Sequence, residues 1–177
     1  LINHDLASNF ALNRLLPQLV EHEVTVFMSS KVGNKTSMSE PLRQLMFFEQ
    51  QLFNDFLTPF MPKVDNGKFL SFDALSLLLR QPIQLLNEIN SPSGLARLAR
   101  TTPDLIVSIR YGVILNNLAI SIPTLGVINL HSGLLPNYRG VMATFWAMLN
   151  QEQHIGTTLH YISDASIDTG NIINQHQ

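Results

Sequence analysis

The chain has 177 residues, 45% hydrophobic and 14% charged, with a formal net charge of −2; this allows one core and excludes a general nucleic-acid electrostatic footprint. It has no cysteines, so disulfides and thiolate chemistry are excluded. No apolar run reaches the ~20 residues that span a bilayer and no charged-then-apolar signal segment opens the chain, so the expectation is a cytoplasmic protein with no membrane or nucleic-acid partner.

In chain order, strand and helix signals alternate, the pattern of a parallel sheet covered on both faces. Residues 1–3 read as the end of a first strand, and Asp5 or Ser8 could cap a helix running to about residue 20. Residues 23–29 read as a second strand, followed by a polar loop over 30–38 rich in Lys, Ser and Gly. Over 40–57, Leu42, Leu45, Met46, Glu49, Leu52, Phe53 and Phe56 recur at threes and fours, which predicts a helix. Its aromatics Phe47, Phe48, Phe53 and Phe56 are read as core, with an interface between copies of the chain as the alternative.

A turn-rich connection over 58–68 leads to a helix over 72–79 and a short strand within 83–89. A helix over 94–100, a buried strand over 105–109 and a short helix over 116–120 follow. A strand over 127–130, a helix over 144–149 and a strand over 156–163 complete the pattern. There is no internal repeat and no low-complexity linker, so residues 1–177 read as a single domain.

The run NLHSGLLPNYRG, residues 129–140, is the most informative segment. Side chains at i and i+2 of a strand point to the same side, so Asn129 and His131 can address one substrate atom. An apolar strand has no packing reason to carry either group. Gly133, Pro136, Asn137 and Gly140 then mark a loop, and loops after parallel strands are where open α/β sheets hold ligands. Taken singly, Asn129 reads as a strand terminator, His131 as a satisfied loop histidine and Asp168 as a turn residue. His160 divides evenly between a packed strand histidine and a group near a site. Tyr138 and Arg139 read as loop anchors rather than as the lining of a substrate entrance.

Three blocks in order, NLHSGLLPNYRG (129–140), GTTLH (156–160) and IDTG (167–170), resemble the signature of the folate-dependent formyltransferases. The likeness covers roughly residues 103–175 well, and the amino-terminal half in element order only. It implies an α/β fold, a Rossmann-like parallel-rich sheet with helices on both faces. It also implies an enzyme moving the formyl group of 10-formyltetrahydrofolate to a primary amine of a small molecule, an amino sugar being one candidate, without a metal. The catalytic set carried over is Asn129, His131 and Asp168. Asn129 and a protonated His131 would donate to the developing oxyanion, His131 would move the proton from amine to leaving nitrogen, and Asp168 would orient the imidazole. The pterin loops would be Arg110, Tyr111, Gly112, Val113, Ile114 and Leu115, with Asp164, Ala165 and Ile167. Ser132, Gly133, Tyr138, Arg139 and His160 would lie near the substrate.

Some features depart from the family pattern. Ser132 and Gly133 stand where relatives more often carry Pro, Gly or Ala followed by Ser. Residues 3–9 read NHDLASN rather than a glycine-rich phosphate loop, which argues against glycinamide ribonucleotide as acceptor. The sequence stops just after the strand following IDTG, which reads as a fragment or an ordered portion of the fold, and no second tRNA-contacting domain is present. Two rival functions remain at this point: a hydrolase delivering water to formyltetrahydrofolate with the same residues, and a non-catalytic folate-binding domain.

Overall fold

Capping residues fix where the helices begin. In the computed structural model, which describes residues 1–30, 40–62 and 69–177, the Asp5 carboxylate accepts the Ser8 N–H at 2.8 Å and opens α1 (Leu6–Leu15). Ser8 lies inside the helix rather than at its cap, and its hydroxyl accepts the Asn3 N–H. The helix ends before residue 20 because Pro17, which has no N–H, forces a tighter turn over Leu16–Gln18. Of the polar loop expected over 30–38, residues 31–38 lie outside the described residues, as do 63–68 of the turn-rich connection.

The chain divides into two compact units, Ile2–Asn87 and Glu88–Gln177, with Leu1 belonging to the second. In the first, β1 (Ile2–Asn3), β2 (Phe27–Ser29) and β3 (Gln84–Leu85) pair in parallel in the order β3-β2-β1, with Ile2 opposite Met28 and Phe27 opposite Gln84. All three strands are shorter than their apolar patterns. Ile2, Leu12, Val26, Phe53, Leu70, Phe72, Ala74 and Leu75 form the core of this unit. Here α3 (Phe72–Ser76) starts on the Ser71 hydroxyl, which accepts the Ala74 N–H at 3.2 Å.

The helix expected over 40–57 forms, but not as one regular α-helix. After α2 (Glu40–Met46) it winds as a π-helix over Phe47–Leu57. With i→i+5 bonding, residues three and four apart no longer share one stripe, so of the four aromatics only Phe53 is buried. Phe47, Phe48 and Phe56 are 42%, 58% and 59% exposed, which corrects their reading as core.

In the second unit, α4 (Pro92–Ala99) begins earlier than expected, because the Ser91 hydroxyl accepts the Gly94 N–H at 3.0 Å and Pro92 suits the first turn. Next come β4 (Ile106–Ile109), α5 (Asn117–Ile120), β5 (Val127–His131), α6 (Ala143–Leu149), β6 (Thr157–Ile162) and β7 (Ile172–His176). The order is β4-β5-β6-β7, parallel between β4 and β5 and antiparallel thereafter. The α/β, parallel-rich reading therefore holds, with two antiparallel strands at its end. β5 is buried at Val127 but exposed at Leu130, and it extends one residue further than expected, through His131. Among the described residues no helix is long and apolar enough to cross a membrane.

Candidate active site

The ladder between β5 and β6 assembles the site. Asn129 stands opposite His160, and His131 opposite Thr158. Alternate residues of a strand share a face, and direct cross-strand partners share it too, so these four side chains converge on one side. Asn129 Nδ2 lies 3.2 Å from His160 Nε2. A single-residue slip of this register would send all four to the other face.

Asp168, in the turn between β6 and β7, completes the cluster. One carboxylate oxygen lies 3.3 Å from His131 Nδ1 and the other 3.4 Å from His160 Nε2. Asp168 has a left-handed backbone, φ 52°, which is strained for a residue with a Cβ. The Gly140 N–H, donating to its Oδ2 at 2.8 Å, holds it there. Gly170 is required two residues on, since a Cβ would come within 1.7 Å of the Tyr161 carbonyl oxygen. Catalytic residues expected from separate sequence blocks are thus brought together.

Each ring is committed at its far nitrogen. His131 Nε2 donates to the Tyr138 carbonyl at 2.6 Å, and His160 Nδ1 donates to the Tyr161 carbonyl at 2.9 Å. Carbonyls only accept, so His131 Nδ1 and His160 Nε2 are the nitrogens left to face Asp168. His131 is 7% exposed and His160 1%, so water screens this arrangement little.

The supporting contacts were not legible as motifs. Thr158, fully buried, donates to the Gly133 carbonyl at 2.7 Å and accepts from Leu135 N–H and Gln175 Nε2. Its alternation with His160 in GTTLH was the available signal. A Cβ on Gly133 would fall 2.5 Å from Ala143 Cβ, 2.8 Å from the Tyr138 carbonyl oxygen and 2.9 Å from His131 Nε2. Gly133 therefore lies beneath the imidazole. Tyr138 anchors the loop as expected, its hydroxyl donating to Glu152 at 2.5 Å and accepting from Asn150; the Glu152 bond holds that hydroxyl above its ordinary pKa. Arg139 is exposed and Ser132 accepts the Thr144 hydroxyl at its carbonyl.

The segments expected to hold a pterin have mixed exposure. Arg110 is left-handed, φ 58°, and Leu115 is buried, while Ile114 is 57% exposed and Ile167 51% exposed. Burial pushes the Tyr111 hydroxyl well above its ordinary range, against the opposing charge of Arg97. The Ser166 N–H, donating to Asp164 at 2.7 Å, lowers that carboxyl below its ordinary value. Gly112 and Val113 are half-buried, and Ala165 is exposed. Among the described residues no group of side chains could hold a metal ion.

Residues 84–177 match the protein family described as formyl transferase. The chain is 35% identical over 122 residues to methionyl-tRNA formyltransferase of Clostridium tetani (strain Massachusetts / E88), covering 67% of this chain and 39% of that protein. It is 37% identical over 108 residues to the bifunctional polymyxin resistance protein ArnA of Wigglesworthia glossinidia brevipalpis, covering 61% and 16%. The chain thus spans less than half the length of the methionyl-tRNA formyltransferases it matches, between 28% and 43%. Its backbone is similar to phosphoribosylglycinamide formyltransferase from Bacillus halodurans, with a TM-score of 0.60 and 16% identity over 99% of this chain and 76% of that one. A sugar N-formyltransferase from Shewanella sp FDAARGOS_354 gives a TM-score of 0.56 and 18% identity over 99% and 54%. With a family match over more than half of its residues and the same fold, this chain belongs to the formyl transferase family.

Proposed function

We propose that this chain carries the catalytic domain of an enzyme that transfers the formyl group of 10-formyltetrahydrofolate to a primary amine of a small molecule, an amino sugar being one candidate. The observation that carries the reading is the convergence of Asn129, His131, His160 and Asp168 on one face within hydrogen-bond or ion-pair distance. In the reaction the amine lone pair bonds to the formyl carbon, the C–N10 bond breaks, and the amine proton ends on the folate nitrogen. Asn129 keeps one Nδ2 hydrogen free of His160 for the formyl oxygen, where a donor is worth about 10²- to 10³-fold. With Nε2 of His131 spent on Tyr138, Nδ1 is the atom that takes and returns the proton, and Asp168 stabilises its charged form. His160, buried behind Asn129, fixes the amide's orientation rather than meeting substrate. Residues 110–115 and 164–167 would receive the pterin.

The acceptor reading draws on residues 3–9, which read NHDLASN rather than a glycine-rich phosphate loop and so support an acceptor other than glycinamide ribonucleotide. The test is product analysis with 10-formyltetrahydrofolate, with and without a panel of amino sugars and amino acids, for the wild type and His131→Ala. Amine-dependent formylation is expected, and His131→Ala should lower turnover by about 10²-fold or more with little change in folate affinity. Formate release that ignores the amine would instead assign a hydrolase, and folate binding without turnover a non-catalytic domain.

A further inference from the structure

Asn90, which belongs to neither the catalytic cluster nor the expected pterin loops, makes a two-point clamp. Its Nδ2 donates to the Ile114 carbonyl at 2.8 Å and its Oδ1 accepts the Asn116 N–H at 2.9 Å. Asn116 is itself the cap of α5, its side chain accepting the Ala119 N–H at 2.9 Å. One carboxamide therefore fixes both backbone groups flanking Leu115 and ties them to a capped helix.

Asn90 is in turn held in place. It precedes Ser91, whose hydroxyl caps α4 and donates to the Glu88 carbonyl at 2.8 Å. The start of α4 packs so tightly on that segment that a Cβ at Gly94 would lie 2.1 Å from the Glu88 carbonyl oxygen and 2.8 Å from Ile89 Cα. Ile89, fully buried, anchors the same stretch. An amide with one donor and one acceptor engaged has little rotational freedom left, so the order of α4 passes directly to residues 114–116.

We propose that Asn90 is a positioning residue for the folate: it holds the Ile114–Asn116 backbone in the conformation that receives the reduced pterin. This rests on the formyl-transfer reading of the 110–115 segment. Without the clamp that segment samples other conformations, and folate binding must first reorder it.

The test uses the whole chain and tetrahydrofolate as probe, comparing wild type, Asn90→Ala and Asn90→Asp by calorimetry, by kinetics with 10-formyltetrahydrofolate and by amide hydrogen exchange. Aspartate keeps the acceptor for Asn116 but sets an oxygen against the Ile114 carbonyl, so it breaks half the clamp with little change in volume. Circular dichroism reports which variants fold, and the aspartate variant carries the test if alanine does not. Expected in both variants are a Kd and a donor KM raised about tenfold or more and a kcat within about threefold, with faster exchange at Asn116 in the alanine variant, which alone removes the acceptor of that N–H. A folded variant with wild-type folate affinity overturns the clamp and leaves formyl transfer standing where the wild type turns over. A loss confined to kcat also overturns it. A wild type that binds no tetrahydrofolate removes the formyl-transfer reading and the clamp together.

Discussion

Asn129 and His160 are direct partners across the antiparallel β5–β6 ladder, and their side chains meet at 3.2 Å. The amide thereby gains a fixed orientation from a buried ring whose other nitrogen is tied to the Tyr161 carbonyl. A donor aimed in advance costs no reorganisation when charge develops on the substrate. The same ladder places His131 across from Thr158, so one pairing register sets both the group proposed to bind an oxyanion and the group proposed to move a proton.

Asp168→Asn separates charge from shape. Asparagine can still accept the Gly140 N–H with its side-chain oxygen and keep the turn, but it offers no negative charge to His131 Nδ1. Turnover should fall by about 10²-fold or more while thermal stability changes little. Steady-state kinetics beside a melting curve would check this; a variant with wild-type kcat would reduce Asp168 to a turn residue.

Gly133→Ala should damage both stability and activity. The added methyl would meet a backbone carbonyl, the Ala143 side chain and the His131 ring, all within 2.9 Å, and overpacking of this kind costs about 1–3 kcal/mol. The relief available is to push Tyr138 or His131 away, which breaks the bond that orients the imidazole. Denaturant unfolding should show the loss, and kcat should fall more than folate affinity.

Thr158→Val keeps the volume and removes the hydroxyl. The buried Leu135 N–H then loses its acceptor, and the Gly133 carbonyl and Gln175 lose a partner. A cost of about 1–3 kcal/mol is expected, read as a lower midpoint of unfolding. An unchanged midpoint would mean that the loop after β5 is held by other contacts.

His4 makes the first unit acid-sensitive. Burial lowers its pKa from the ordinary 6.5, against the raising effect of Asp5, Asp73 and Asp55. Because the folded state binds this proton less readily than the unfolded chain, the stabilising effect is present above pH 6.5 and lost as pH falls through the lower folded value. His4→Phe, which suits the neighbouring Phe72 ring 5.4 Å away, should flatten the fall in melting temperature between about pH 7 and 5. An equally steep fall in that variant would assign the acid sensitivity to other groups.

The sequence by itself determined the alternation of strands and helices, the cap of the first helix and the residue types that meet in the candidate site. Asp5 is a cap because a short polar side chain satisfies the open N–H groups of a first turn, a local effect. Asn129 and His131 share a face through the two-residue period of any strand. Tertiary structure alone decided what was not local. The exposure of Phe47, Phe48 and Phe56 follows from a change of helical winding that a three-and-four repeat does not encode. The meeting of His160 with Asn129, of Asp168 with both rings and of Asn90 with residues 114–116 depends on strand register and on hydrogen bonds between segments distant in sequence. Spacing along a chain carries no information about which strand lies beside which, or in what register.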